Sequence, residues 1–172
     1  GDLTVPVAGI TFNNAINSDN KRGNGIIIVN GDLIINGDTA YGEGMPSDLK
    51  KLASVAWVVK GDVKISPAVE NVAGAFIVLG KGPTTCLIKS GSDANYPRYD
   101  DNDCGVFFTG DSGNPLTVLG LVIARAFDLG RTFSELYQGS ERIIYDGRVV
   151  ANPPPGLKGF IEGLPVIRDF SY

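Results

Sequence analysis

A short phrase recurs along this chain, and its spacing restricts the fold more than any other sequence feature. The pairs Gly1-Asp2, Gly31-Asp32 and Gly61-Asp62 are about 30 residues apart, and each is followed by a short apolar stretch. The second and third pairs also follow β-branched runs, residues 26–29 and 55–59. Glycine and aspartate suit sharp corners, because glycine adopts unusual backbone angles and aspartate bonds to its own turn. The phrase therefore predicts strand, corner and second strand, repeated as in a stacked solenoid.

The composition agrees with many short strands joined by tight turns. The 172 residues include 23 Gly and 10 Pro, and the apolar runs are nearly continuous instead of alternating, which indicates burial on more than one side. We therefore predict an all-β chain that forms a parallel β-helix with short helical or irregular caps. A β-sandwich is the alternative, because Asn-Gly and Asp-Gly pairs suit hairpin turns. Those pairs are Asn24-Gly25, Asn30-Gly31, Asn36-Gly37 and Asp146-Gly147.

The length favours a single domain over residues 1–172. Residues 1–25 are predicted to form an N-terminal strand and cap, and residues 26–150 the stacked coils. Residues 151–172 contain three consecutive prolines and are predicted to form a C-terminal cap. Residues 46–53 predict one short helix, with Ser47 as its N-cap.

The strand–Gly-Asp–strand phrases resemble those of bacterial polymer-forming β-helix proteins of the bactofilin type. Residues 56–169 are also similar to predicted β-helical domains near the C-termini of large bacterial surface proteins. The matching segments are residues 56–63, 74–77, 121–125, 131–133 and 143–148. Bactofilins are cytoplasmic and lack loops of the kind found here, so the departures favour the surface proteins. The resemblance implies a β-helical fold at the cell surface, and it implies no particular activity.

One phrase resembles a catalytic motif. Residues 110–113 read Gly-Asp-Ser-Gly, close to the nucleophile motif of chymotrypsin-like serine proteases, which needs a histidine to accept the serine proton. The chain contains no histidine, so we interpret Ser112 as part of a polar turn. The absence of imidazole also removes the commonest general base and transition-metal ligand. We predict that the chain is not an enzyme.

A polar loop between the two cysteines is the strongest candidate for a metal site. Cys86 and Cys104 predict a loop-closing disulfide in an oxidising compartment, with two unrelated buried thiols as the alternative. The loop carries carboxylates of the kind that bind Ca²⁺, although their spacing matches neither the EF-hand nor the nonapeptide repeat. The candidate ligands are Asp93, Asp100, Asp101 and Asp103. A plain solvated loop is the alternative, and no other cofactor is expected.

Glycan chemistry provides two further alternatives, because many parallel β-helices act on polysaccharides. An enzyme of this kind needs paired acids, and Asp62 and Asp128 are candidates for acids on an exposed sheet face, or else are corner residues. Aromatic side chains near the acidic loop are candidates for stacking against sugars. They are Tyr96, Tyr99, Phe107 and Phe108. A carbohydrate-binding module and a glycan-active enzyme therefore stay open beside a structural role.

Charge and hydropathy limit the partners. The net charge of −4, with scattered Lys and Arg, argues against nucleic acid. No apolar run reaches the roughly 20 residues of a membrane helix. The sequence begins at Gly1 without a signal-like segment, so we expect a processed product or a fragment of a longer protein. The expected location is extracellular or at the cell surface, with copies of the chain, other domains of a surface protein or glycans as partners.

The end strands of a solenoid must be capped or paired, because uncapped strand edges pair with other chains. Residues 2–12 are strand-like and either complete a neighbour's sheet or pack within their own domain. The predicted assembly residues are Leu3, Val5, Val7, Ile10 and Phe12. The sequence thus predicts a structural, non-catalytic extracellular domain, a subunit of a cell-surface filament, stalk or adhesin assembly.

Overall fold

A computed structural model describes residues 1–15, 23–82, 104–132, 139–157 and 159. Within these ranges the chain is mostly β-structure, with a 3₁₀ helix at Leu49–Lys51 and a short helix α1 at Arg148–Ala151. The strands are β1 (Leu3–Val5), β2 (Ile10–Phe12), β3 (Asn24–Val29), β4 (Leu33–Ile35), β5 (Thr39–Tyr41), β6 (Ser54–Val59), β7 (Val63–Ile65), β8 (Asn71–Val78), β9 (Val106–Phe108), β10 (Leu116–Ala124), β11 (Ala126–Asp128) and β12 (Glu141–Ile144).

The strands form three sheets, and consecutive strands belong to different sheets. The first sheet has the order β1-β4-β7-β9-β11, the second β12-β10-β8-β6-β3, and the third contains β2 and β5. Every strand pair among the described residues is parallel. The chain visits the first, third and second sheets in turn, and then repeats this circuit.

The period in the sequence is the period of strand pairing. In the first sheet Leu3 is aligned with Leu33, and Leu33 with Val63, so each step is about 30 residues. Val63 is then aligned with Phe107, and Phe107 with Phe127. The first of these later steps is longer because residues 79–105 lie between β8 and β9, and the second is shorter because it contains only β10 and its connections. From β7 onward no strand of the third sheet intervenes in the described residues.

The Gly-Asp corners are joined by a series of hydrogen bonds between successive strands of the first sheet. The backbone N–H of Asp32 donates to Oδ1 of Asp2 at 2.9 Å, and the N–H of Asp62 donates to Oδ1 of Asp32 at 2.8 Å. The N–H of Val106 in turn donates to Oδ1 of Asp62 at 2.8 Å. A Cβ on Gly61 would lie 2.2 Å from Oδ1 of Asp32, so glycine is required for the carboxylate to approach the backbone. Each corner aspartate therefore binds the next turn of the chain.

The main core lies between the first and second sheets, and aromatic rings run through it in series. Trp57, Phe76 and Phe107 are almost fully buried, and the centroids of Trp57 and Phe76 are 6.2 Å apart in a stacked pair. Phe12 contacts Trp57 edge-on at 5.8 Å, and Phe127 lies 6.1 Å from Phe107. Burying a side chain of this size contributes about 1.5–3 kcal/mol. The aromatic series therefore ties the successive turns into one core.

A second, smaller core covers the outer face of the second sheet. Ala56 and Ala75 are fully buried there beneath Val149 of α1, and Leu157 packs against the same cluster. The amide of Asn152 anchors this segment, because its Nδ2 donates to the carbonyl of Leu52 at 2.7 Å. Strands β6 and β8 are consequently buried on both faces, as their continuous apolar sequences predict.

The all-β prediction is confirmed. The alternative prediction, that Asn-Gly pairs form hairpin turns of a sandwich, is wrong. Asn24-Gly25 lies inside β3, and Asn30-Gly31 joins strands of two different sheets. The predicted helical segment contains the 3₁₀ helix, whose cap is Asp48 and not Ser47, because the Asp48 carboxylate accepts the N–H of Lys50 at 3.0 Å. The division of the domain into two caps and a coil region stays a prediction, since residues 160–172 lie outside the described ranges.

Gly120 provides a test of the parallel pairing of β8 and β10. It is aligned with Gly74 at a φ of +151°, and a Cβ there would lie 1.9 Å from the Gly74 carbonyl oxygen. We expect Gly120→Ala to lower the free energy of unfolding by about 3 kcal/mol, measured by denaturant titration. Gly25→Ala is the matched control, because a Cβ on Gly25 has no neighbour within 4 Å, and it should change stability by less than about 1 kcal/mol. Equal effects of the two substitutions would contradict this register.

Candidate functional site

The two ends of the stack are the candidate functional site. Strands β1, β2 and β3 each pair on one side only within the described residues, and we call their free side the N-terminal edge. Strands β11 and β12 are the last strands at the opposite end of the first and second sheets, and we call their free side the C-terminal edge. Unpaired parallel strands present rows of backbone N–H and C=O groups to a partner.

The N-terminal edge exposes a side chain that belongs to the core face. Leu3 and Val5 lie on the same face of β1, because side chains two residues apart on a strand share a face. Val5 is 1% exposed and is part of the main core, and Leu33, the partner of Leu3 on the next strand, is fully buried. Leu3 itself is 38% exposed. Its exposure follows from its place on the last strand of the sheet.

The C-terminal edge shows the same feature in two sheets. Phe127 is 41% exposed, whereas its partner Phe107 on the next strand is fully buried. Ile143 is 50% exposed, whereas its partner Val118 is 1% exposed. Core-facing apolar side chains are therefore uncovered at both ends of the stack.

A cleft of about 390 Å³ opens beside the N-terminal edge, between β2 and β3. Its apolar lining includes Phe12, Ile27 and Val55. Ser54 also lines the cleft; it is 1% exposed, and its Oγ has no hydrogen-bond partner within the described part of the chain. The N-terminal edge thus combines uncovered apolar surface with a buried polar group.

The predicted assembly residues separate into three groups at this edge. Leu3 and Val7 are exposed, Val5 is buried, and Ile10 and Phe12 are half-buried. Strands β1 and β2 pair with β4 and β5 of their own domain on one side. Their role in assembly stays a prediction.

The acids predicted to lie on an exposed sheet face are instead buried. Asp62 is fully buried at its corner, and Asp128 is 9% exposed. Of the aromatic side chains considered for sugar stacking, Phe107 lies in the main core and Phe108 is half-buried. Tyr96 and Tyr99 lie outside the described residues. The corner interpretation of Asp62 is therefore confirmed, and its interpretation as an exposed catalytic acid is wrong.

Ser112 lies in a turn between β9 and β10, as the lack of histidine led us to expect. Its Oγ accepts the backbone N–H of Asn114 at 3.0 Å, which is the local hydrogen bond of a serine turn. Ser112 also forms an isolated parallel bridge with Arg131. The hydroxyl therefore stabilises the backbone of the turn.

Arg131 is a buried charged residue that sequence reasoning did not identify as structurally important. It is 4% exposed, and its guanidinium donates to the carbonyls of Thr109 at 2.8 Å, Val69 at 2.7 Å and Ser66 at 3.1 Å. Its own N–H donates to the Glu141 carboxylate at 2.9 Å. Burial lowers the pKa of the guanidinium from its usual value. The side chain is occupied in holding loop carbonyls, and nothing in the sequence around it signals this role.

The predicted calcium and disulfide sites fall on residues outside the described ranges. Asp93, Asp100, Asp101, Asp103 and Cys86 all lie there, whereas Cys104 is described and buried. The described ranges contain no group of three or more His, Cys, Asp or Glu side chains suited to a metal ion. Calcium binding and the disulfide both stay predictions.

Within the same described ranges, no helix is long and apolar enough to cross a lipid bilayer.

No protein-family model, no curated protein and no solved structure matches the chain. The resemblance to bacterial β-helical proteins therefore stays an expectation from the sequence phrases.

Burial raises the pKa of the Asp62 carboxyl above its usual value, although the Val106 N–H partly opposes this shift. A raised pKa means that the folded chain binds this proton more readily than the unfolded chain. The contribution of the group to stability is therefore complete below the unfolded pKa and is lost as the pH rises through the folded pKa. Oδ2 of Asp62 is buried without a hydrogen-bond partner in the described structure, which agrees with a disfavoured charge.

Asp62→Asn tests this linkage, because the amide keeps an acceptor for the Val106 N–H and carries no charge. We expect the stability of the variant relative to wild type to be greatest near pH 7 and to fall as the pH is lowered toward 4, in urea titrations. Asp62→Ala is the control for the hydrogen bond and should be about 1–3 kcal/mol less stable than Asp62→Asn at both pH values. A stability difference between Asp62→Asn and wild type that does not change with pH would contradict the raised pKa.

Arg131→Met tests the buried guanidinium. We expect a loss of about 3 kcal/mol in the free energy of unfolding, because several carbonyls lose their donors inside the protein. Arg142→Met is the matched control: Arg142 is exposed and its NH2 makes one hydrogen bond, to Thr117 Oγ1 at 3.0 Å. Its loss should cost less than about 0.5 kcal/mol. Thermal or denaturant unfolding measures both, and equal losses would rule out a special role for Arg131.

Proposed function

We propose that the chain is a non-catalytic structural domain that folds as a parallel β-helix and forms part of a filament, stalk or adhesin assembly at the cell surface. One observation carries this proposal. Core-facing side chains, Leu3 at one end and Phe127 at the other, are about two-fifths exposed on strands whose outer sides are unpaired in the described residues. Such ends suit a domain that continues into a neighbour.

The β-helix part of the proposal is supported by the order of the strands. Parallel strands cannot be joined by tight hairpins, so each connection must cross to another part of the molecule before it returns. Here the crossing is made by strands of the other sheets, and five strands of the first sheet follow five successive passages of the chain. Stacking of this kind leaves each passage in contact mainly with the ones before and after it.

The non-catalytic part is supported by the hydrogen bonds of several described acids and of Arg131. The corner aspartates accept backbone N–H groups, and the buried Arg131 donates to backbone carbonyls. Asp38, which is exposed, accepts the N–H of Glu70 at 2.9 Å in the same manner. These carboxylates and this guanidinium therefore hold the backbone of the described structure.

The cell-surface location is supported by the sequence. The phrases around the Gly-Asp corners resemble those of bacterial β-helical proteins, and the loop between the cysteines favours the extracellular relatives. A disulfide between Cys86 and Cys104 would fit an oxidising compartment. The partners are then further copies of the chain or other domains of the same surface protein.

The proposal predicts concentration-dependent assembly of the full chain. We expect light scattering coupled to size exclusion to show a mass that rises with concentration, and electron micrographs to show elongated particles. Phe127→Glu should weaken this assembly by about 30-fold or more, because it places a charge where an apolar anchor is buried. Val150→Glu is the matched control, since Val150 is 51% exposed on α1, which packs on the outer face of the second sheet and belongs to neither edge.

Two results would contradict this proposal. One is a monomer at every concentration that binds no copy or neighbouring domain. The other is saturable binding and turnover of a polysaccharide, which would favour the glycan-active alternative.

A further inference from the structure

We propose that copies of this chain join head to tail, with β11 of one copy alongside β1 of the next in parallel register and Arg125 of the first beside Asp2 of the second. This inference rests on the proposed function and specifies its junction. The partner it assigns to both edges is a second copy of the chain.

The register follows from a row of aligned side chains in the first sheet. Leu3, Leu33, Val63, Phe107 and Phe127 occupy equivalent positions on its five strands. The three inner members are fully buried, and the two outer members are 38% and 41% exposed. Placing Leu3 of one copy next to Phe127 of another continues the row and covers both outer side chains.

Head-to-tail joining also preserves the geometry of every internal strand pair. Strands β1 and β11 each contain three residues, so their free edges match in length. Translation of one copy along the stack makes the new pair parallel, like all pairs among the described residues. A two-fold arrangement that joined two N-terminal edges would make the pair antiparallel.

Opposite charges lie at the two ends of the stack, close to the row of Gly-Asp corners. The N–H of Arg125 donates to the carbonyl of Gly105 at 2.9 Å, so Arg125 follows Gly105 in the row of corner residues that begins with Gly1, Gly31 and Gly61. Arg125 is exposed at the C-terminal edge. Asp2 is exposed at the N-terminal edge, one position along the chain from that row.

The charge pair selects the direction of joining. Head-to-tail contact brings Arg125 toward Asp2, whereas contact between like edges brings Asp2 toward Asp2 or Arg125 toward Arg125. Electrostatic complementarity of this kind sets orientation more than affinity. A contact between two different edges of the same chain does not close on itself unless the rotation returns to the start, so it extends into a filament or a large ring.

Reversing the charges tests the junction. The Asp2 carboxylate also accepts the Asp32 N–H, so Asp2→Ala sets the baseline for the loss of that hydrogen bond. We expect Asp2→Arg to raise the concentration for half-assembly by about 5-fold relative to Asp2→Ala, and Arg125→Asp to raise it by about 5-fold relative to wild type, because each places like charges together. The double variant should return to within about 2-fold of Asp2→Ala. An equimolar mixture of the two single variants should also recover, because each damaged edge then meets a complementary one.

Lys60→Asp is the control for net charge, because Lys60 is exposed at an inner corner between β6 and β7. It should leave the assembly concentration unchanged. If wild type assembles and neither reversal affects it, the junction is overturned while the assembly proposal survives. If a mixture of Asp2→Arg with wild type assembles at a lower concentration than wild type alone, like edges join and the head-to-tail direction is overturned. If wild type never assembles, the head-to-tail junction falls, and the proposed function falls with it when the chain also binds no neighbouring domain.

Discussion

The structure depends on the hydrogen bond from the backbone N–H at each corner to the aspartate of the preceding passage. At a corner the chain leaves one sheet for another, and the ladder of that sheet no longer supplies an acceptor for the next N–H. Asp32 fills this gap for Asp62, and its other oxygen is 2.8 Å from the ammonium of Lys64. Because the bond joins equivalent residues, it holds successive strands of the first sheet in one register. The glycine before each aspartate leaves room for the carboxylate.

This series of carboxylates ends at Val106, and different polar groups join the strands after it. The N–H of Val106 donates to Oδ1 of Asp62, but Val106 has no carboxylate to accept an N–H from the following strand. Beyond Val106 the spacing of the strands is irregular, and buried side-chain donors join successive passages of the chain instead of aspartates. Arg131 donates to the carbonyls of Val69 and Asn114, and the Thr109 hydroxyl donates to the Glu141 carboxylate at 2.9 Å. A regular half and an irregular half are therefore held by different polar groups around one continuous aromatic core.

The ends of the stack follow from the same repetition. A geometry in which each passage covers the previous one leaves the last passage uncovered. The segment around α1 packs on the outer face of the second sheet over Ala56 and Ala75 and reaches β3, where Nδ2 of Asn24 donates to Oδ1 of Asn152 at 3.0 Å. It leaves Leu3 of β1 exposed. Apolar core residues, free backbone groups and opposite charges consequently meet at the two edges, where a neighbouring copy would satisfy all three.

The sequence by itself determined the strands, the corners and their period. The runs before Gly31-Asp32 and Gly61-Asp62 became β3 and β6, because β-branched residues and glycine corners act locally. Only the tertiary structure decided what the corners bind, that Asp62 is buried, and that Arg131 lies inside the protein. Those facts depend on contacts between residues 30 to 65 positions apart, which no local pattern encodes. The direction of pairing was likewise open in the sequence, since Asn-Gly pairs suit hairpins as well as crossings between sheets.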